Sequence, residues 1–351
     1  MRADLQGLTA YQVADASGLV KLDAMENPYP LPDHVREQWT QRLHGLAVNR
    51  YPDGRAAGLK HRLRTVSGLG RQHALLLGNG SDEILQIVML ALAAPGACMV
   101  TVEPGFAMFR IIARFAGLRY VGVPLGAAFS LDAKAMVATI RRERPALVLL
   151  AQPNNPTGNA FAADALRQVV AAAPGLVVID EAYAAFADRD CLGWLDEYPN
   201  LLILRTLSKM GLAGLRLGYA MGAANWVDAL DALRLPYNIN VLTQEAALLA
   251  LEHYAAFQQQ ADLIRAERER LAAALSRVPG LRVFPSQANF VLVRVPGGQA
   301  PRWHEALRGR GLLVKNLDGS HGQVADCLRI TVGTPEENEA LLHALLAIAA
   351  N

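Results

Sequence analysis

Three wholly apolar runs constrain the fold of this chain more than any other feature of its sequence. They cover residues 146–150, 176–179 and 201–204. None of them alternates between apolar and polar residues, so a strand formed there is buried on both faces, as in a parallel sheet covered by helices on each side. Further strand candidates precede them at 74–77, 98–102 and 120–124. Helical periods separate these strands, and we therefore expect a large α/β domain that extends to about residue 245.

The rest of the chain predicts a smaller α+β domain. Residues 241–277 are largely helix-forming, and another helix is expected near 303–310. Short strand candidates surround that helix, at 281–284, 290–295, 312–314 and 328–332. The last helix has a clear start signal, with Thr334 at its N-cap and Glu337 completing a capping box. We divide the chain into an N-terminal segment associated with the small domain (1–44), a large domain (45–245) and a small C-terminal domain (246–351).

The composition excludes several classes of protein. The chain has 351 residues, of which 52% are hydrophobic and 19% charged, so we expect two packed domains rather than disorder or a coiled coil. The net charge of +2 and the lack of a basic run predict no nucleic-acid partner. The most apolar stretch, residues 84–102, is interrupted by Gln86 and by a Pro-Gly pair at 95–96. It predicts a buried helix, a turn and a buried strand rather than a membrane span.

The cysteines bear on the compartment. Cys98, Cys191 and Cys327 lie far apart and form no CxxC pair, which is typical of a reduced cytosolic protein rather than a disulfide framework or a zinc site. Residues 1–15 lack the basic-then-apolar layout of a signal peptide. We expect a soluble, cytoplasmic protein with no metal site.

Each of the three apolar runs is followed directly by polar residues. The strings are QPNNPTG at 152–158, DEAY at 180–183 and RTLSK at 205–209. Because the carboxyl ends of parallel strands meet at one rim of the sheet, these residues predict a single crevice with an amide, a carboxylate, a phenol, hydroxyls and a lysine. Ser81, after the turn of Gly78 to Gly80, is expected to cap a helix whose first N–H groups face a phosphate.

Lys209 narrows the chemistry most. The chain has only five lysines, and this one follows a buried strand, where loss of hydration lowers the pKa and leaves an amine free to attack an aldehyde. Pyridoxal 5'-phosphate is the common biological aldehyde that needs such a lysine, an acid facing its ring nitrogen and a phosphate cradle. Asp180 would keep that nitrogen protonated, and Asn155 and Tyr183 would contact the ring hydroxyl. The phosphate would be held by Thr206, Ser208, Arg216 and the turn at 80–82.

The same strings resemble known families. NNPTG, DEAY and TLSK followed by GLRLGY resemble the fold-type-I pyridoxal-phosphate aminotransferases. The strings LTAYQ, KLDAMENPYPLP, NRYPD, GNGSDE and LRITVGTPEEN are similar to those of the histidinol-phosphate aminotransferase family, in that family's order from about residue 5 onward. The resemblance implies a mainly parallel seven-stranded sheet in the large domain, which binds pyridoxal phosphate, and a smaller α+β domain. It also implies transamination between L-histidinol phosphate and 2-oxoglutarate, giving imidazole acetol phosphate and L-glutamate, in histidine biosynthesis.

The resemblance implies roles for individual residues. The catalytic residues are Lys209, as Schiff-base lysine and proton shuttle, with Asp180 and Tyr183. The cofactor contacts are Asp180, Asn155, Tyr183 and Phe106 at the ring, and Ser81, Asp82, Thr206, Ser208 and Arg216 at the phosphate. Tyr51, in the RYPD string, matches a tyrosine that the partner subunit of a homodimer supplies to the cofactor phosphate. Arg329 and Lys315 match the site for the substrate's anion, and Tyr11 and Asn27 match residues that cover the substrate.

The chain departs from the family pattern at four places. Phe106 stands where a tyrosine usually stacks on the cofactor ring, and Met25 replaces a common asparagine. Lys315 stands where an arginine often shares the substrate phosphate, and lysine keeps the charge without the bidentate fork. The segment between Lys209 and Arg216 is one residue shorter than in many members of the family.

Other functions fit the sequence less well. Within the same cofactor class, an aromatic aminotransferase or a threonine-phosphate decarboxylase shares the lysine, acid and asparagine. A non-catalytic effector-binding module would need a DNA-binding domain, for which we see no room before the first family string. A nucleotide-dependent dehydrogenase is disfavoured because Glu83 replaces the third glycine of its pattern. We interpret Glu181 as a solvated strand end or helix cap, and we assign no role to His304, His321 or His343.

Overall fold

A computed structural model describes residues 5–6 and 13–350 of the chain. The strands of this part are β1 (Val20–Leu22), β2 (His73–Asn79), β3 (Cys98–Glu103), β4 (Arg119–Pro124), β5 (Leu147–Ala151), β6 (Leu176–Asp180), β7 (Leu201–Thr206), β8 (Leu217–Ala223), β9 (Arg282–Val283), β10 (Phe290–Arg294), β11 (Leu312–Asn316) and β12 (Cys327–Thr331). Its α-helices are α1 (Asp33–His44), α2 (Ala57–Ser67), α3 (Ser81–Leu92), α4 (Ala107–Ala116), α5 (Ala133–Glu143), α6 (Ala163–Ala172), α7 (Ala224–Asp231), α8 (Val241–Glu252), α9 (Tyr254–Leu275), α10 (Ala300–Arg308) and α11 (Pro335–Ala349).

The larger sheet has seven strands in the order β2-β8-β7-β6-β5-β3-β4. β8 runs antiparallel to both of its neighbours, and the other pairs are parallel, so the expected mainly parallel sheet is confirmed. Every residue of β5 and β6 is buried, as the apolar runs predict. Alternate residues of one strand serve different cores: Val148 packs in the cluster that contains residues of α2, α5 and α6, and Leu149 packs in the cluster that contains residues of α3 and α4.

The smaller sheet has five strands in the order β1-β11-β12-β10-β9. The last four are antiparallel to one another, whereas β1 joins the edge in parallel with β11 through the pairs Val20–Leu312 to Leu22–Val314. A third core forms between this sheet and side chains of α9, α10 and α11. The N-terminal strand therefore belongs to the same sheet as β11 and β12, which carry Lys315 and Arg329.

Two predicted helix starts turn out differently. The start of α11 is confirmed, because the Thr334 side chain accepts from the Glu337 N–H and the Glu337 carboxylate accepts from the Thr334 N–H. The prediction that Ser81 caps α3 is wrong. Gly80 occupies the N-cap position with φ +79, and Ser81 is the first helical residue.

The predicted helix, turn and strand at 84–102 are present as the end of α3, a turn and β3. Within the described residues, no helix has both the length and the apolar character needed to cross a membrane. All three cysteines are free and buried.

Candidate active site

The carboxyl ends of β5, β6 and β7 open into one cleft with about 540 Å³ of empty space. Every predicted cofactor residue except Tyr51 lines it: Lys209, Asp180, Asn155, Tyr183, Ser81, Asp82, Phe106, Thr206, Ser208 and Arg216. Met25, Ala151 and Ala182 line it as well, and we had assigned none of them a place there. The single crevice predicted from the strand ends is therefore present.

Lys209 lies in the turn after β7, where its amine is partly buried. The Nζ atom donates to the Ala24 carbonyl at 3.2 Å and lies 5.9 Å from the centroid of the Tyr183 ring. Loss of hydration, and then the positive charge of Arg329, lower the pKa of Lys209 to about 8. A usable fraction of this amine is therefore uncharged near neutral pH, which is the condition for attack on an aldehyde.

Asp180 is the last residue of β6 and is only 4% exposed. Its Oδ1 accepts a hydrogen bond from the Ala182 N–H at 3.0 Å. Burial raises the pKa of Asp180 to about 7, and the negative charges of Asp82 and Glu181 act in the same direction. A carboxylate held in this way is stabilised by a cationic partner that enters the cleft.

A chain of hydrogen bonds links Asn155 with residues of both sheets. Its Nδ2 donates to Tyr183 Oη at 3.0 Å, and its Oδ1 accepts from Arg329 Nη1 at 2.6 Å. Arg329 Nη2 donates to the Asp23 carbonyl at 2.9 Å. Burial raises the pKa of Tyr183, so the phenol keeps its proton and remains a donor. The guanidinium of Arg329, on the small sheet, therefore donates to the amide of Asn155, which follows β5 of the large sheet.

The start of α3, the end of β7 and the start of β8 form a cradle suited to an anion. Ser208 N donates to Thr206 Oγ1 at 3.1 Å, and the two hydroxyl oxygens lie 2.9 Å apart. Gly218 is required here, because a Cβ at that position would lie 2.5 Å from the Ser81 backbone nitrogen. The Arg216 guanidinium lies over Gly80, where a Cβ would come within 2.5 Å of Nη2. A helix N-terminus with hydroxyls and a guanidinium is a favourable phosphate site.

A second, wider cleft adjoins the first and shares Phe106 and Asn155 with it. Lys315 and Arg329 line this cleft and are register partners on β11 and β12, so their side chains leave the sheet on the same face. His321 also lines it, with Nε2 4.0 Å from Glu103 Oε2. We had assigned His321 no role, because nothing in its spacing signals a site.

Two predicted residues, Tyr51 and Asn27, are not among the described residues that line either cleft. Tyr51 is 81% exposed, and its ring stacks on that of Tyr237 with centroids 4.5 Å apart. Asn27 donates to Gln260 Oε1 at 2.9 Å and accepts from the Tyr29 N–H. Tyr11 lies outside the described residues.

The interpretation of Glu181 as a solvated strand end or helix cap is wrong. This carboxylate is 2% exposed and accepts from Arg205 Nε at 2.9 Å. The physical reason is that Arg205, on the neighbouring strand, offers a charged partner inside the protein, which offsets the cost of removing the carboxylate from water.

Comparison with known proteins identifies the family. The family model named aminotransferase class I and II matches residues 17–345. The chain belongs to this family. The histidinol-phosphate aminotransferase 2 of Nitrosococcus oceani is 51% identical over 347 residues, which are 99% of this chain and 96% of that protein. The histidinol-phosphate aminotransferase of Chromobacterium violaceum is 49% identical over 345 residues, 98% of this chain and 96% of that protein.

A solved structure resembles this class I and II aminotransferase along its whole length. The histidinol-phosphate aminotransferase from Sinorhizobium meliloti, in complex with pyridoxal-5'-phosphate, matches with a TM-score of 0.89 at 26% identity, covering 100% of this chain and 97% of that one. The predicted family resemblance, fold and enzyme class are confirmed. The aminotransferase is a pyridoxal-phosphate enzyme.

Proposed function

We propose that this aminotransferase moves an amino group between L-histidinol phosphate and 2-oxoglutarate, giving imidazole acetol phosphate and L-glutamate, in histidine biosynthesis. The observation that carries the proposal is the hydrogen bond that connects the anion-binding Arg329 to Asn155 in the wall of the lysine cleft. The identity of about half to proteins named histidinol-phosphate aminotransferase supports the substrate.

The residues present fit the cofactor. Pyridoxal 5'-phosphate supplies an aldehyde that condenses with amines and a ring that withdraws electrons from the carbon beside the amine. Asp180 would face the ring nitrogen, Asn155 and Tyr183 the ring oxygen, and Phe106 the ring face. Asp82 would act through its backbone N–H and by holding Arg216, 3.8 Å away, because its carboxylate repels a phosphate. The remaining phosphate contacts would be the Ser81 N–H, Thr206, Ser208 and Arg216.

Lys209 is the base in this proposal. Its lowered pKa would leave Nζ able to take the proton from the substrate Cα and to return it at the aldehyde carbon that the cofactor supplies. Asp180 supports this step because its negative charge keeps the ring nitrogen protonated. Tyr183 lies beside both groups, and its phenol stays protonated as a donor.

Arg329 and Lys315 hold the substrate's anion. L-Histidinol phosphate carries a phosphate and no carboxylate, whereas glutamate carries carboxylates, so one cationic site must accept both. The planar guanidinium of Arg329 suits two parallel hydrogen bonds. Lys315 adds a point charge at the position of β11 that is paired with Arg329. Tyr11 and Asn27 would cover the bound substrate.

The proposal includes a homodimer in the cytoplasm. Tyr51 is exposed and does not line the cleft of its own chain, which supports a role at the cofactor phosphate of a second copy. We also propose the division into an N-terminal segment (1–44), a large domain (45–245) and a small domain (246–351), since β1 pairs with the small sheet.

Three measurements test the proposal. Borohydride reduction followed by peptide mass spectrometry should place the cofactor on Lys209, and Lys209→Ala should lose turnover whereas the exposed Lys134→Ala should not. Rates with histidinol phosphate, phenylalanine and threonine phosphate, each with and without 2-oxoglutarate, identify the substrate. We expect histidinol phosphate with 2-oxoglutarate to be fastest. Release of carbon dioxide from threonine phosphate as the main reaction would contradict the proposal.

A further inference from the structure

A second buried carboxylate lies directly after Asp180. Glu181 is held on both oxygens: Oε1 accepts from the Cys191 N–H, and Oε2 accepts from Arg205 Nε at 2.9 Å. Arg205 is itself mostly buried and also reaches Asp190 Oδ2 at 2.9 Å. A buried ion pair of this kind requires both partners, because loss of one leaves an uncompensated charge inside the protein.

This ion pair joins the two strands that carry the cofactor residues. Asp180 ends β6, and the Glu181 N–H donates to the Leu204 carbonyl of β7 at 2.7 Å. Arg205 and Thr206 are the last residues of β7. The link between Glu181 and Arg205 therefore fixes the distance between the carboxylate for the ring nitrogen and a hydroxyl of the phosphate cradle.

The pair also lies at the edge of a second space. Glu181 and Arg205 line a polar cavity behind the active cleft, and Thr206 and Ala182 line both the cavity and the cleft. Thr206 and Ala182 thus form part of the wall between this cavity and the cleft that Asp180 lines. Loss of the pair would open that wall to water and to movement of the strand ends.

Charge gives the pair a second effect. The negative charge of Glu181 raises the pKa of Asp180, as does that of Asp82, whereas Lys209 lowers it. Burial raises the pKa of Glu181, the charge of Arg205 lowers it, and Asp190 raises it. The Cys191 thiol and the phenols of Tyr219 and Tyr254 also lie beside this pair.

We propose that Glu181 and Arg205 are positioning residues, whose ion pair fixes the ends of β6 and β7 and offsets the charge of Glu181 beside Asp180, the carboxylate that faces the cofactor ring nitrogen. This inference rests on the proposed function, since it concerns the same cofactor site. Neither residue touches the cofactor in this account, and both act through Asp180 and Thr206.

The two substitutions Arg205→Met and Glu181→Gln test the charge effect with opposite signs. The visible absorption of the cofactor attached to Lys209 changes with the proton on the linking nitrogen, and a more positive ring nitrogen lowers the pH midpoint of that change. Arg205→Met exposes Asp180 to an unpaired Glu181 and should move the midpoint up. Glu181→Gln removes the competing charge and should move it down. A merely structural role moves both midpoints in the same direction.

Affinity and controls complete the experiment. The dissociation constant of pyridoxal phosphate should rise about tenfold or more in Arg205→Met, as for loss of a buried charge partner. This dissociation constant should return part of the way to the wild-type value in Arg205→Lys, and also in the double variant that combines Arg205→Met with Glu181→Gln. Arg167→Met, which breaks the exposed pair with Glu197, should behave as wild type. If Arg205→Met does not fold, Glu181→Gln alone decides the charge effect, because a midpoint that stays in place or moves up in that variant would overturn it.

The outcomes separate this inference from the proposed function. A folded Arg205→Met with wild-type midpoint and cofactor affinity would overturn the positioning role, even if the wild-type enzyme uses histidinol phosphate. Midpoints that move in the same direction in the two single variants would overturn the charge argument. A wild-type protein with its cofactor on Lys209 but without histidinol-phosphate turnover would contradict the substrate alone.

Discussion

Arg329 Nη1 lies 2.6 Å from Asn155 Oδ1, so the side chain proposed to bind the substrate's anion donates a hydrogen bond to one proposed to face the cofactor ring. The same amide donates to Tyr183 Oη at 3.0 Å. Three side chains thus connect the two binding functions. Asn155 forms a hydrogen bond with each of the other two, so its loss should weaken the binding of cofactor and substrate together.

Asn155→Ala should weaken both ligands. It removes a hydrogen bond to a charged group, worth about 1.5–3 kcal/mol, so we expect KM for histidinol phosphate to rise about tenfold or more. Cofactor affinity should fall as well, because Tyr183 loses its partner. Asn200→Ala is a matched control, since that side-chain amide lies away from the cleft and donates hydrogen bonds to the backbone carbonyls of Ala173 and Gly175. A rise in KM without any change in cofactor affinity would show that the ring contact is absent.

Asp180→Asn should separate stability from activity. Burial raises the pKa of Asp180 from 3.8 to about 7, so the cofactor-free fold is more stable with this carboxyl group protonated. That contribution to the free energy of unfolding is lost as the pH rises through 7. At pH 8 the cofactor-free variant should gain up to roughly 4 kcal/mol in the free energy of unfolding, and at pH 4 almost nothing. Turnover should nevertheless fall steeply, because the amide does not hold the ring nitrogen protonated.

Urea unfolding of the cofactor-free proteins at both pH values measures this effect. Asp228→Asn, at an exposed position, makes the same charge change and should alter neither value. Equal stability of Asp180→Asn and wild type at pH 8 would mean that Asp180 is well solvated in the cofactor-free state.

Attachment of the cofactor should follow the titration of Lys209. With a pKa of about 8, roughly a tenth of the amine is uncharged at pH 7, so the rate of attachment to the cofactor-free protein should rise with pH and level off above 8. Arg329→Met removes a positive charge that lowers this pKa and should move the midpoint up. The exposed Arg302→Met should leave it in place. Stopped-flow absorbance measures the rates, and a midpoint near 10 in the wild type would contradict the assignment.

Lys315 offers a test of substrate recognition. Lys315→Arg should lower KM for histidinol phosphate a few-fold, because a guanidinium binds a phosphate with two parallel hydrogen bonds. Lys315→Met should raise that KM about tenfold, by loss of a charged contact. Lys134→Met serves as the control at an exposed position. Equal KM values in all three variants would place the substrate phosphate elsewhere in the wide cleft.

The sequence predicts most of the active cleft because its residues follow buried strands directly. The apolar runs within β5, β6 and β7 predict buried strands, so their ends, and with them Asn155, Asp180 and Lys209, lie at one rim as predicted. No local pattern predicts β8, because it begins Leu-Gly and needs Gly218 for close approach to α3. The interpretation of Glu181 is wrong for a related reason, since its partner Arg205 lies on another strand.

Residues that act across long sequence separations escape pattern analysis altogether. His321 and Glu103 are separated by more than half of the chain and come together only when the small sheet packs beside the large one. The wider cleft, proposed to hold the substrate's anion, therefore depends on the packing of the two sheets, whereas most residues that line the first cleft, proposed to hold the cofactor, follow strands of a single sheet.

Mixed dimers test the position of Tyr51. If this exposed tyrosine completes the partner's site, a Lys209→Ala subunit and a Tyr51→Ala subunit damage the same site of their mixed dimer and leave the other site intact. Each pure variant should have little activity, and an equal mixture refolded together should recover about a quarter of the wild-type value, as statistical pairing of subunits gives in a symmetric dimer. Mixing Lys209→Ala with Asp180→Asn is the control, since each defect there lies in its own subunit's site and no intact site forms. Activity of the Tyr51 mixture no higher than that of this control would show that Tyr51 does not reach across to a second subunit.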